Sequence, residues 1–370
     1  MPQNFKQSLL QNIKNIRGWK TRRKIVVISV DDYGNVRVDS KQAREKMDKA
    51  GLKCLSRFDK FDSLENEDDL QALYETLTSV KDKFGQPAVF TSFAVPVNID
   101  FEKVAASEFS AYHYELLPDT LKKLNGYEKV YALLKEGIKH KLLVPQFHGR
   151  EHLNLKVFSE KLKQKDPELI TALKNRSYTS ISSSGYPTIN YTAAFDFDQF
   201  DENFSFDPII KDGLAAFEKV YGFKSTHFNP PGGREHPHIH KALKDCGVNF
   251  IDTPLVKREH QGQGVYKKEI FYNGKKNALG QTYMVRNCVF EPTSDIGIDW
   301  SSYCLKQVET AFRWKAPAII SSHRVNFCGQ VDEANRQIGL ASLKQLLIKI
   351  TKKWPDVEFM TATELAEQFD

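Results

Sequence analysis

Two adjacent carboxylates, Asp31 and Asp32, follow an apolar run, KIVVISV, at residues 24–30. Like charges side by side at the edge of a low-dielectric core repel each other and lose hydration, a cost that a divalent cation would offset. One carboxylate could then ligate the ion while the other stays free as a base. The structural alternative is a turn ending at Gly34 with a helix cap. His148-Gly-Arg-Glu-His152 supplies two imidazoles four residues apart, just after another apolar run. They can face one point if the chain turns helically after the strand.

With ten histidines in the chain, that spacing alone carries little, and His236 with His240 repeats it. The second pair lies around Pro237, which suits a first helical turn, and is expected to be structural or peripheral. His148 and His152 instead sit where barrel enzymes place ligands, at the C-terminal end of a strand. His323 ends the run AIISSH at the same kind of edge and is a candidate catalytic group. Asn229-Pro230-Pro231-Gly232-Gly233 follows a further short strand. Its prolines stiffen a turn whose glycine amides, at Gly232 and Gly233, could approach a ligand or a developing oxyanion.

These residues need a scaffold that gathers strand ends. Short apolar runs at 24–30, 87–93, 142–147, 225–228, 248–251, 318–321 and 357–360 read as buried parallel strands. Between most of them, residues 67–84, 127–139, 208–221, 237–246, 302–313 and 332–353 carry helical apolar periodicity. Such alternation predicts an α/β fold, a distorted parallel (β/α) barrel of seven strands, with function at the C-terminal strand ends. Residues 175–192 and 195–207 show no firm element, and 260–293 suggest a β-hairpin insertion; these are candidate cleft walls.

The domain reading is a basic amphipathic helix within residues 1–23, then one barrel domain over 24–370. Phe5, Leu9, Ile13 and Ile16 form the helix's apolar stripe, expected to cap the barrel or to touch a membrane surface. The first 24 residues hold seven of the 53 basic side chains and no acid, so the rest carries 46 bases against 47 acids. A near-neutral body gives no reason to expect a nucleic-acid partner. Cys54, Cys246, Cys288, Cys304 and Cys328 are scattered and odd in number, against a disulfide framework or a cysteine-rich zinc site. No signal-peptide core or long apolar span occurs, which places the expected location in the cytoplasm, at most against the inner membrane surface.

In order, Asp31-Asp32-Tyr33-Gly34, His148-x-x-x-His152, the proline-rich turn, Asp252 after a strand and His323 ending a late strand resemble the polysaccharide deacetylase superfamily, carbohydrate esterase family 4 with its NodB-homology domain. The resemblance spans residues 24–365, and Tyr33 gives the paired-Asp motif a form similar to the YdjC-like oligosaccharide deacetylases. It implies a divergent branch with Asp31 as base, with Asp32, His148 and His152 holding zinc (or cobalt, nickel or manganese), His323 as general acid and Asp252 as an acidic tuning residue. It also implies an acetylated carbohydrate as substrate. The family's proline-rich motif opens with an arginine that orients the base. Asn229 stands there instead, with Pro230 next, so the expectation is either a less firmly held base or a substitute among Arg150, Arg234 and Arg324. Two other functions fit the same residues: hydrolysis of an allantoin-like amide, and an inactive glycan-binding barrel suggested by Asn229. Oligomeric state leaves no mark on the sequence.

Overall fold

The computed structural model describes residues 5–54, 56–295 and 297–369, with side chains from residue 9 onward. Nine strands form one sheet: β1 (Lys24–Tyr33), β2 (Phe90–Ala94), β3 (Leu143–Phe147), β4 (His227–Phe228), β5 (Phe250–Asp252), β6 (Thr282–Met284), β7 (Cys288–Val289), β8 (Ala318–His323) and β9 (Val357–Met360). Their order is β6-β5-β4-β3-β2-β1-β8-β7, with β9 also pairing along β1. Every ladder in it is parallel. The seven anticipated strands are all present, and β6 and β7 add two short edges taken from what the sequence offers as an insertion.

Those two edge strands are consecutive in the chain, joined by residues 285–287 alone. The curled sheet therefore returns close to itself without ladder bonds across the seam, giving an open, distorted (β/α) barrel. Helices cross between strands, including Glu67–Thr78, Val130–Lys139, Phe206–Tyr221, Trp300–Arg313 and Glu333–Lys353. The expected hairpin is real but shorter, pairing Val256–Gly262 with Val265–Ile270. Residues 175–192 contain no helix or strand, as their composition suggested, whereas 195–207 holds a 3-10 helix, Phe200–Ser205, and the start of the helix Phe206–Tyr221.

Alternate residues of a strand face opposite sides, and β1 uses this fully. Val26, Ile28 and Val30 pack outward into the main core under the helices. Ile25 and Val27 face inward, where they meet Met284, Ile319 and the C-terminal residues Ala362, Leu365 and Phe369. This second cluster plugs the strand-entry end of the barrel, and each of its larger apolar side chains contributes about 1.5–3 kcal/mol through burial. The same inward parity continues through Ser29 to Asp31. Apolar filling at one end thus gives way to polar groups at the other.

Candidate active site

β1 and β8 are paired so that Asp31 lies opposite His323, which brings two sequence-distant candidates together by register alone. Asp32 would point away from the interior if the strand stayed regular. It does not: Asp32 has φ of 77°, and the pairing with β2 shifts register between Val30 and Tyr33. Aspartate tolerates this left-handed conformation better than most residues, and the irregularity turns a second carboxylate towards the cavity. Both are buried, at 8% and 2% exposure. Gly34 then closes the turn: its amide donates to Glu65, and a side chain there would collide with the Val95 carbonyl.

His148 is the first residue past β3, its amide donating to the Ala94 carbonyl of β2. The chain does not turn helically between the two histidines, contrary to expectation. Gly149, at φ of 86°, starts a bend, and the helix Leu155–Lys163 begins only after Asn154, which caps it. The bend sets the two imidazole centroids 5.0 Å apart. His148 Nδ1 donates to the Asn229 carbonyl at 2.7 Å, which fixes the ring's orientation and leaves Nε2 with no hydrogen-bond partner among the described residues. That Nε2 lies 3.7 Å from Asp32 Oδ1, and His152 Nε2 lies 2.9 Å from the same oxygen.

Burial works against the Asp32 charge, yet His152 and His148 outweigh it and hold the carboxyl well below the usual range. Burial also pulls His152 below its ordinary value, favouring the neutral imidazole. One carboxylate oxygen and two imidazole nitrogens, all buried and within 4.8 Å of one another, make a donor set suited to a divalent cation. The orphaned His148 nitrogen aimed into that space fits such an ion.

The arginine that orients Asp31 is Arg286, in the seam between β6 and β7. Its two terminal nitrogens each donate to a separate Asp31 oxygen at 2.8 Å, while Nε donates to Asp252 at 2.7 Å. Burial opposes the guanidinium charge, but Asp31 and Asp252 raise its pKa above the ordinary value. Asp252 also accepts from His227 Nε2 at 2.8 Å, and Arg286 and His227 together hold it below its usual range despite burial. The expected substitutes are all engaged elsewhere: Arg150 with Glu151 and Asp212, Arg234 with Asp196, and Arg324 with Asp62 and Glu65. Arg324 instead braces the paired-Asp turn from beneath, since Glu65 accepts both its guanidinium and the Gly34 amide.

His323 is half-buried, with Nε2 3.9 Å from Asp31. Its Nδ1 donates at 2.7 Å to Glu291, which sits just past β7 and is itself paired with Arg57. Burial disfavours the imidazolium, but the Glu291 carboxylate more than compensates and the pKa rises to about 9. Sequence reasoning missed both Arg286 and Glu291.

Asp31, Asp32, His148, His152, Asn229, Pro230, Gly232 and His323 line one cavity of about 330 Å³, together with Arg37, Phe58 and Thr192. The Arg37 guanidinium rests over the Phe58 ring, 5.1 Å from its centroid. Gly232 and Gly233 both have positive φ, but Gly233 is no free donor, because its amide already donates to the Pro230 carbonyl. A Cβ at Gly232 would stand 3.0 Å from Ala193. His236 and His240 do not reach the cavity: the first caps a short turn through the His238 amide, and the second is buried against Glu235.

No family model and no curated protein matches the chain. Solved structures do. A PuuE allantoinase aligns at 10% identity over 94% of this chain and 91% of its own, with a TM-score of 0.48. A probable polysaccharide deacetylase from Pseudomonas aeruginosa aligns at 9% identity over 94% and 91%, with a TM-score of 0.46. A 4-alpha-glucanotransferase from Thermococcus litoralis aligns at 10% identity and a TM-score of 0.47, where this chain spans only 40% of the enzyme. At these scores the likeness is one of overall chain course. Among the solved structures that this chain resembles are ones described as polysaccharide deacetylases.

Proposed function

We propose that the chain is a metal-dependent hydrolase that removes acetyl groups from N-acetylated sugars. The observation that carries this reading is the pairing of two supported groups beside one cavity: Asp31 clamped by Arg286, and His323 charged by Glu291, facing the trio Asp32, His148 and His152. A divalent cation held by that trio, zinc foremost, supplies Lewis-acid activation of water and of the acetyl carbonyl.

The chain's own groups supply the remainder. Asp31, held in one orientation by Arg286, accepts a proton from water as its oxygen attacks the acetyl carbon. Negative charge develops on the carbonyl oxygen, and we assign the Gly232 amide on the cavity wall as a backbone donor to it. His323, protonated at neutral pH, gives its proton to the sugar nitrogen as the C–N bond breaks, since an amine anion is too poor a leaving group. Acetate and a free amino sugar are the products. Arg286 weighs against the inactive-barrel reading, because from the connection between β6 and β7 it brings to Asp31 the charge that Asn229 lacks.

The test is acetate release from N-acetylated mono- and oligosaccharides, run beside allantoin as the competing amide. Acetate from the sugars with allantoin untouched supports the reading; ring opening of allantoin without acetate release assigns the other hydrolysis. Replacing His323 by Ala should cut turnover by about 10²–10⁴-fold with metal content intact. Equal loss of both would remove His323 from the acid role.

A further inference from the structure

The N-terminal helix Phe5–Ile16 is built the wrong way round for a helix that only caps a barrel. An ordinary surface helix turns its apolar stripe to the core and its polar side to water. Here the buried residues are Gln11 and Asn15, while Leu9, Leu10, Ile13 and Ile16 are 50%, 51%, 42% and 50% exposed. The side chain of Phe5, which continues the stripe in sequence, lies outside the described residues.

Specific hydrogen bonds fix this inversion. Asn287, in the seam between β6 and β7, donates to Asn15 Oδ1 at 2.7 Å, and the Trp314 indole donates to Asn12 Oδ1 at 2.8 Å. The polar side is thus anchored to the barrel, and rolling the helix to bury its leucines would leave Asn287 and Trp314 without those acceptors. Trp314 is itself partly exposed beside the stripe. The first 24 residues carry seven basic side chains and no acid, and of the seven Arg23 is paired with Glu358. Lys14, Arg17 and Arg22 form no ion pair among the described residues.

We propose that this face docks on an anionic lipid bilayer, with the helix lying in the plane of the interface, its leucine and isoleucine side chains among the acyl chains and its lysines and arginines against the headgroups. The charge selects this occupant over a second copy of the chain: a two-fold pairing of identical faces would set one all-basic segment against another. The anchoring also orients the molecule. The Thr21 amide donates to the Lys315 carbonyl, and residues 314–315 enter β8 at the end opposite His323. Docking therefore leaves the catalytic cavity open to water, and the proposal stands independently of the deacetylase reading.

The experiment is co-sedimentation of the full chain with phosphatidylcholine vesicles made with and without phosphatidylglycerol, at low and high salt. The account expects pelleting only with the anionic vesicles, weakened by salt. The double substitution Leu9→Asp with Ile13→Asp should reduce it by at least about tenfold. Both side chains are exposed, so the variant's melting temperature should match the parent's. Absence of pelleting with anionic vesicles, or equal pelleting of the double variant, overturns the proposal. So does a dimer in sedimentation equilibrium that the double variant disperses, which would assign the stripe to a second copy.

Discussion

Replacing Arg286 by Met removes the one cation that three buried oxygens share. The guanidinium makes two bonds to Asp31 and one to Asp252, all between 2.7 and 2.8 Å. Charge-assisted bonds of this kind contribute about 1.5–3 kcal/mol each, but they are not additive, and the governing cost is that of leaving buried charge unpaired. Removing one partner of a buried pair destabilises by about 3–5 kcal/mol. Asp252 keeps His227, so the loss falls mainly on Asp31, which then faces Asp32 with only His323, 3.9 Å away, as a counter-charge. The expected variant is about 3–5 kcal/mol less stable in urea denaturation and turns over about 100-fold more slowly, as a misplaced base would. Its metal content should be unchanged, because Arg286 bonds none of Asp32, His148 or His152. Arg286→Lys should recover part of the stability, since one ammonium can reach only part of a two-carboxylate fork. If Arg286→Met lost less than about 1 kcal/mol and kept turnover within roughly threefold, the idea that this arginine positions the base would be wrong.

Two further outcomes follow from named contacts. His323 is raised from 6.5 to about 9 by Glu291, so it is charged below that pH, and the alkaline limb of activity should fall as pH rises through about 9. Glu291→Gln should move that limb down towards 6.5, measured as kcat/KM against pH; an unmoved limb would detach it from His323. Gly232→Ala places a Cβ 3.0 Å from Ala193 at a φ of 67°, so it should cost about 1–2 kcal/mol and depress kcat more than KM. Full activity would exclude the Gly232 amide from the chemistry.

The strand ends were legible in the sequence because each is an apolar run that stops at a chemically loaded residue: Asp31 after KIVVISV, His148 after LLVPQF, His323 after AIISS. Periodicity gives the run, and the barrel then gathers such ends at one rim. Arg286 and Glu291 were not legible. They flank β6 and β7, strands of three and two residues that exist only through pairing with β5 and β8. Nothing local separates so short a strand from a loop, and the arginines that lie near the motifs in sequence are Arg150, Arg234 and Arg324. The re-aiming of Asp32 was hidden for a related reason, since a positive φ at a strand end depends on the neighbouring ladder. Amphipathic periodicity located the N-terminal helix but could not tell which face meets the barrel; the hydrogen bonds of Asn12 and Asn15 decide that.

The most direct test of the central claim is the metal content of the purified chain by elemental analysis, comparing wild type with Asp32→Asn and His148→Ala. The account predicts close to one divalent ion per chain, lost from both variants while their folds persist by circular dichroism. Both variants retaining the ion would place it elsewhere, and a wild-type chain that takes up no ion on reconstitution would contradict metal-dependent hydrolysis at this site.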